Sequence, residues 1–556
     1  MADLYTFQSS TTPIEHPYLF QSRQFTFVPD SNSGNYPNGA VVFDLASLSN
    51  SGRWLDLKQS YVTIPLVLSV QGSAALTVAA ENAFAASLKN GYHQLINSLS
   101  VELTNNQIVN LTSFSNLDIN YKLLTKTSYE DLQNFGSSIG FQKDTAESVL
   151  YRAVADPSGL GECNNKVQQS LFVTTNGWGS SGMNFNQGRI NRMLNTSYDP
   201  LVTEQAKFTT ASLLQQAGKN YVDRTTSTSY INYYILATIP LRILHDAFEK
   251  LPLMRGAYFR LIVNTNTSCQ TTLTNNNTNY TGITTSSQNN VLPFMVSPIG
   301  SGAGFQPGAS ATSVQVSLGI GKSYNTTTSY SHPTMSQCRI YGCLYELTPI
   351  YEELYLKTTP TKTVKYNDIL SFQVLNTTAG GQFSQILTNG ISRPRYLLIC
   401  PFLSSVVNGS TSFTQFTAGF AVGSPMNSPF SSAPGTCGPQ LAVTNFNVLV
   451  SGVNIYQSNL NYRFENWLQE IRGSNAVNGG LTQLISSGLL SQTDYENGYP
   501  FIYVNLERKA SQANDDISRS IQIIGTNASS VNVDYYCIIG YEREITVSTS
   551  TGSLVI

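Results

Sequence analysis

Apolar residues recur with a period of two along most of the chain. Val314, Val316 and Leu318 alternate with polar neighbours, and Val531, Val533, Tyr535, Cys537, Ile539 and Tyr541 keep the same rhythm near the C-terminus. Successive side chains of a strand point to opposite faces, so this rhythm predicts strands with one buried face. Residues 62–70 form a β-branched run between polar turns. Residues 100–103 alternate and lead through Thr104-Asn105-Asn106-Gln107 into Ile108-Val109, which reads as a hairpin.

Three segments instead carry helical spacing. Phe114, Leu117, Tyr121 and Leu124 share one face, as do Leu241, Leu244, Phe248 and Leu251, where Pro240 opens and Pro252 stops the run. Phe464, Trp467, Leu468 and Ile471 fit the same template, and Gly473 ends it. These are short helices in connections between strands, too few for an α/β fold. The pattern predicts an all-β protein built from sandwiches.

One unit occurs twice. Residues 100–109 and 447–456 both read strand, tight polar turn, strand, with apolar positions in register, and both lead into an amphipathic helix. The repeat spans 347 residues, from Ile108 to Ile455. That is too long for a solenoid and suits two copies of one domain with unequal loops. A chain of 556 residues is expected to hold two or three domains. The Asn/Thr-rich residues 268–288 read as an exposed loop, and residues 300–306 are Gly-rich. Residues 321–335 read as an inter-domain connection. We therefore expect domains at 1–325 and 326–556, with long surface loops at 127–230 and 403–440.

Composition sharpens this reading. Charged residues make up only 12% of the chain, against an ordinary share of about 25%. The 31 Tyr and 26 Phe suit surfaces that pack against other protein, since interface cores lose charge and gain aromatics. The net charge is −2 and no Lys/Arg block occurs, so no direct sequence-specific binding of nucleic acid is expected. The N-terminal Met-Ala-Asp has neither a positive n-region nor an apolar h-region, so no signal peptide is expected, and no apolar run reaches the length of a membrane span. The seven Cys, at 163, 269, 338, 343, 400, 437 and 537, include no Cys-x-x-Cys, and ordinary buried thiols are expected. The Asn-x-Ser/Thr triplets at Asn110, Asn195 and Asn376 are at chance level for so Asn/Thr-rich a chain.

Catalytic patterns do not emerge. His16, His93, His245 and His332 have no metal-ligand spacing. Gly177, Gly179 and Gly182 have the dinucleotide-loop spacing, but no helical pattern follows them. His245-Asp246 with Glu249 is a conceivable acid/base group, and the blander reading is the solvated face of a helix. Glu352-Glu353 and Asp515-Asp516 are neighbouring carboxylates, and nothing places either pair across a cleft as glycoside hydrolysis requires. The expectation is of a non-enzyme, with no catalytic, cofactor-binding or metal site.

Two stretches carry a resemblance. One is IPLRILHDAF at residues 239–248, continuing through GAYFRLIVN at 256–264. The other is RIYGCLYELTP at 339–349, followed by VKYND at 364–368. With the repeated hairpin-helix unit, they make the chain resemble the double jelly-roll major capsid proteins of virophages and polinton-like viruses, over about residues 20 to 545. In that family the first stretch closes the first jelly roll, and the second resembles the opening strands of the second. An extra C-terminal domain found in some relatives is not expected.

The resemblance implies two eight-stranded antiparallel jelly rolls with short helices between strands. It implies a major capsid protein that forms homotrimeric, pseudo-hexameric capsomers tiling the icosahedral shell of a DNA virus. The strands would stand across the shell, with loops outward and termini inward. It implies neighbouring capsomers and a penton or minor capsid protein at the vertices as partners, and it is silent on an internal membrane. The location would be the virion, after synthesis inside the host cell. Composition alone also fits a carbohydrate-binding or carbohydrate-active β-sandwich, although only three Trp are present. A viral spike protein is a third reading.

Overall fold

The computed structural model describes residues 19–36, 39–49, 51–73, 86–143, 221–224, 230–275, 280–296, 313–327, 329–404, 426–427, 429, 442–472, 487–507, 517–529 and 532–555. Residues 300–306, the glycines at 177–182, Asp515-Asp516, His16, Asn195, Cys163 and Cys437 lie outside them, as does most of 127–230 and 403–440.

The chain builds one arrangement twice. In the N-terminal part, Phe20–Pro29, Arg339–Leu347, Trp54–Gly72 and Tyr230–Pro240 pair in that spatial order. Against them lie Ala40–Asp44, Phe259–Thr265, Ile96–Leu103 and Asn106–Val109. Numbered along the chain, the first, eighth, third and sixth strands face the second, seventh, fourth and fifth. In the C-terminal part the corresponding sheets are Thr361–Thr377, Val533–Ser548, Pro394–Leu403 and Ile502–Asn505, and Gln382–Ile391, Arg519–Asn527, Val443–Val450 and Val453–Asn454. The order is the same and every pairing is antiparallel. Eight strands in two sheets with this wiring make a jelly roll, so the protein is a double jelly roll.

Alternation fills each roll. In the first, Val62, Ile64, Leu66 and Leu68 face inward against Val41, Phe43, Val101 and Leu261, all buried. In the second, Leu397, Ile399, Cys537 and Ile539 meet Val448, Val450, Ile521 and Ile523. Burial of each such side chain contributes about 1.5–3 kcal/mol. Cys269, Cys338, Cys343, Cys400 and Cys537 are free and buried. The repeated hairpin is the fourth-to-fifth-strand turn of both rolls. Thr104-Asn105 and Ser451-Gly452 all have positive φ, the two-residue geometry whose twist matches the flanking strands.

Several expectations change. Residues 268–288 are not an exposed loop. Cys269–Asn275 and Tyr280–Ser286 form a hairpin that joins the first sheet through Ser313–Ile320. Its threonines are β-branched and pack well on a pleat, and Cys269 and Thr271 are fully buried. Arg339–Leu347 is not an opening strand of the second roll. It lies between Phe20–Pro29 and Trp54–Gly72, and pairing on both sides outweighs its nearness in sequence to the second roll. The helix expected over Leu241 to Leu251 breaks into Leu241–Leu244 and Asp246–Lys250. His245 between them is extended, and its Nδ1 accepts the Ala247 amide. Helices Pro349–Thr358, Tyr129–Phe135 and Gln492–Gly498 were not anticipated.

Connections after odd-numbered strands gather at one end of each roll, because successive strands run in opposite directions. The longest lie there. The other end holds tight turns and the limits of the described chain, joined by Thr348 N–H to Leu19 O at 3.2 Å, Arg255 N–H to Thr549 O at 3.0 Å and Thr104 Oγ1 to Gly552 O at 3.0 Å.

Candidate functional site: the seam between the rolls

Buried aromatic and charged side chains converge at the seam where the rolls meet. Helix Ser115–Lys126 crosses from the first roll onto the second. Asp118 in its first turn and Lys126 in its last suit the helix dipole. Unlike a surface helix, it is apolar on two sides. Ile119 joins the first core, while Leu117, Tyr121 and Leu124 join the second.

Tyr121 is the centre of this contact. Its ring stacks on Tyr503 at 5.8 Å and meets Phe501 edge-on at 5.1 Å. Its hydroxyl accepts the Trp467 indole N–H at 2.9 Å. Trp467 belongs to Phe464–Arg472, the helix that follows the repeated hairpin in the second roll. The second roll also caps the crossing helix, because Leu489 N–H donates to Leu124 O at 2.8 Å. Gly488 permits this approach: its φ is +65°, and a Cβ there would lie 2.4 Å from Leu124 O.

Charge is buried here in compensated groups. Lys122 Nζ lies 2.9 Å from Asp118 and 3.3 Å from Asp246. The Tyr396 hydroxyl donates to the same Asp118 at 2.9 Å. Burial alone would push the Asp246 carboxyl up, but Lys122 and Lys126 outweigh it and hold it at about 2. Burial would likewise lower Lys122, and its two carboxylates outweigh that and raise it.

A second group centres on Asp368, whose side chain has 0% exposure. It takes the Ile369 amide at 2.9 Å, the Tyr541 hydroxyl at 3.1 Å and Arg543 at 3.2 Å. The amide of Asn110 from the first roll donates to it at 3.4 Å. His245 Nε2 stands 3.4 Å away, without hydrogen-bond geometry. Burial pushes the Asp368 carboxyl up, and the nearby His245, the Ile369 amide and Arg543 together outweigh this and lower it. Around this knot Arg543 donates to Gln107 O at 2.7 Å, Thr112 to Ile369 O at 2.9 Å, and the Tyr366 hydroxyl to Ile108 O. Val364, Tyr366 and Val547 of the second roll join the core of the first.

The sequence-stated candidates therefore scatter. His245 and Asp246 are not a solvated face: His245 is buried at the seam, and only Glu249 of that trio is exposed. His93 is buried beside Asn120, at 3.3 Å, in the first roll, and His332 lies against Tyr234. Burial lowers His93 to about 3 and His332 to about 4. Glu352 pairs with Arg255 and Glu353 with Lys357 at 2.6 Å, on one helix and facing no common cleft. Among the described residues no group of three His, Cys, Asp or Glu could hold a metal ion, and no helix is long and apolar enough to cross a membrane. A cleft of about 1050 Å³ opens beside the seam, lined by Arg23, Lys58, Arg242, Lys250 and Lys362 among others. Sequence reading missed the seam entirely. Its one available signal was the second copy of the hairpin-helix unit.

No protein-family profile and no curated protein matches the sequence. Solved structures do. A chain in the 3.5 Å cryo-EM structure of the Sputnik virophage aligns over 99% of this chain and 91% of its own, with TM-score 0.52 and 13% identity. The mavirus major capsid protein aligns over 98% and 92%, with TM-score 0.47 and 8% identity. The Faustovirus major capsid protein aligns over 97% and 93%, with TM-score 0.43 and 10% identity. The Sputnik alignment covers both rolls and their junction, so the likeness is to the whole double fold.

Proposed function

We propose that this chain is a viral major capsid protein: a structural subunit, not an enzyme, that assembles with copies of itself into the shell of a DNA virus. One observation carries the reading. Two rolls of identical strand order are fixed by a buried seam into one unit, and that unit matches a virophage chain along its full length. Three such chains would place six similar rolls in a ring, which gives a trimer the outline of a hexagon. Such a capsomer would tile an icosahedral shell in contact with its neighbours and with a vertex protein. The end with long connections would face outward, and the end with the termini inward. The location is then the virion. The sequence holds no Lys/Arg block to neutralise phosphates, so the genome would be held by other means.

As part of this reading we put the division between the two rolls in helix Pro349–Thr358, and not at residue 325. Pairing of Arg339–Leu347 with Phe20–Pro29 supports it.

Light scattering on the purified protein, with imaging of the peak, tests the function. A species of 3 × 60.8 = 182 kDa with a hexagonal outline, or larger shells, is expected. A monomer of 60.8 kDa at every concentration and salt overturns it.

A further inference from the structure

The cleft of about 1050 Å³ beside the seam opens at the end of the first roll that carries Leu19, the first described residue. Six of the chain's 31 Lys and Arg line it: Arg23, Lys58, Arg242, Lys250, Lys362 and Lys365. Two carboxylates, Asp56 and Glu249, line it with them. Glu249 answers Lys58 at 3.6 Å, and Lys365 reaches out of the cleft to Glu544 at 3.4 Å. The Asp56 carboxyl accepts the Lys58 amide at 2.9 Å. Arg242 and Lys250 are exposed and have no ion-pair partner among the described residues. Cations gathered between low-dielectric walls repel one another and focus a positive potential into the space they share.

The second roll shows that the fold does not require this excess. At its corresponding end, Lys365 of the first strand and Arg393 and Arg395 at the start of the third are met by Glu542 and Glu544 of the eighth and by Glu507. Arg393 lies 3.0 Å from Glu544, and Arg395 lies 3.4 Å from Glu507 and bonds Glu542. In the first roll the eighth strand brings Tyr345 and Leu347 to the cleft where the second has carboxylates. Glu507 stands two residues past the end of the sixth strand, Ile502–Asn505. The residue two past the sixth strand of the first roll, Tyr230–Pro240, is Arg242. A carboxylate in one roll is thus a guanidinium at the same place in the other. One roll neutralises this end from within, and the other leaves it positive around an open cleft.

We propose that this cleft binds a phosphate ester, with Arg23, Arg242 and Lys250 toward the phosphate and the organic part against Tyr61, Leu251 and Val364. A carboxylate brings one charge, whereas a phosphate monoester brings about −1.5 to −2 and three acceptor oxygens, so it answers several cations at once. A guanidinium matches two of those oxygens with parallel N–H donors. The cleft is at the upper end of the range of about 300–1,000 Å³ found for small-molecule sites, and like them it sets a few convergent polar groups in apolar walls. A soluble phosphate compound and the headgroup of an anionic lipid share this chemistry, and the test separates them. The site lies within one chain, so it goes beyond the capsid reading and does not rest on it.

The test titrates the full chain with inorganic tripolyphosphate at a constant ionic strength of about 0.15 M and follows thermal unfolding. A rise in melting temperature that is half-saturated below about 1 mM is expected. A second arm measures flotation with phosphatidylcholine vesicles, with and without phosphatidic acid. Tripolyphosphate binding alone assigns a soluble phosphate compound, and flotation that needs phosphatidic acid assigns a lipid headgroup; either supports the site. Arg242→Glu, which copies the charge of the second roll, is expected to weaken binding about tenfold or more. Lys357→Glu makes the same charge change at an exposed position outside the cleft and is expected to bind as wild type does. Failure of wild type in both arms, or equal binding by Arg242→Glu and wild type, overturns the inference. Should Arg242→Glu fail to fold, amine acylation of wild type decides. Bound tripolyphosphate or vesicle is expected to protect Lys250 and not Lys357, and equal acylation of Lys250 with and without it overturns the site. Assembly is scored separately by light scattering, so the capsid reading stands or falls on its own.

Discussion

Trp467 donates its indole N–H to the hydroxyl of Tyr121 across 346 residues of sequence. Each side chain stands on the helix that follows the fourth-to-fifth-strand hairpin of its own roll. The repeated units therefore meet each other at the seam, and the hydrogen bond satisfies two polar atoms that would otherwise be buried alone.

Tyr121→Phe removes that bond and leaves the indole N–H unpaired. A loss of about 1–3 kcal/mol is expected in denaturant unfolding. Tyr121→Ala also empties the aromatic cluster and is expected to cost about 3–5 kcal/mol. Because each core takes in side chains from the other roll, wild type should unfold in one transition, and the alanine variant in two. A single unshifted transition for both variants would show that the seam contributes nothing.

Asp368→Ala is expected to destabilise by about 1–3 kcal/mol, because the Ile369 amide and the Tyr541 hydroxyl lose their buried acceptor and the partly exposed Arg543 loses one of its partners. Arg543→Ala alone should be similarly costly, and the double variant should lose less than the sum. Additive losses in a double-mutant cycle would mean the two do not act as a pair.

Acid should weaken the protein starting near pH 6.5. His93 is lowered to about 3 and His332 to about 4, while the unfolded chain binds protons at about 6.5. The unfolded state thus holds more protons between that pH and the folded values, so stability falls as pH drops from about 6.5 and this loss levels off below about 4 and 3. Asp246, held at about 2, adds a further loss between about pH 4 and 2. His93→Gln is expected to flatten the curve between pH 6.5 and 3, measured by melting temperature against pH. A curve of unchanged slope would contradict the burial argument.

Gly488→Ala should cost about 2 kcal/mol or more. Its positive φ is strained for any residue with a Cβ, at about 1–2 kcal/mol, and the added carbon collides with Leu124 O and Thr125. Gly452→Ala has equally positive φ but open space around it, so it should cost less. Equal losses in thermal unfolding would leave only the backbone effect.

The contrast between local and distant information runs through these residues. Period-two patterning determines strands, because burying one face of a pleat needs nothing beyond alternation. The two hairpins were legible for the same reason, since Thr104-Asn105 and Ser451-Gly452 carry their own turn geometry. The helices at Tyr129–Phe135 and Gln492–Gly498 carry reciprocal caps, Ser128 with Asp131 and Ser491 with Asp494, a local signal in the sequence.

Tertiary structure decided the rest. Nothing local separates Arg339–Leu347 as the last strand of one roll from the first strand of the next; only its partners do. Residues 268–288 are polar enough for a loop, and a vacant sheet edge made them strands. His245 broke a helix whose spacing was sound and sits beside Asp368, 123 positions further on. Strands, hairpins and two similar halves follow from each segment's own alternation and turns. Which strand pairs with which, and where charge is buried, depends on groups hundreds of residues apart. Their proximity exists only once both cores have formed.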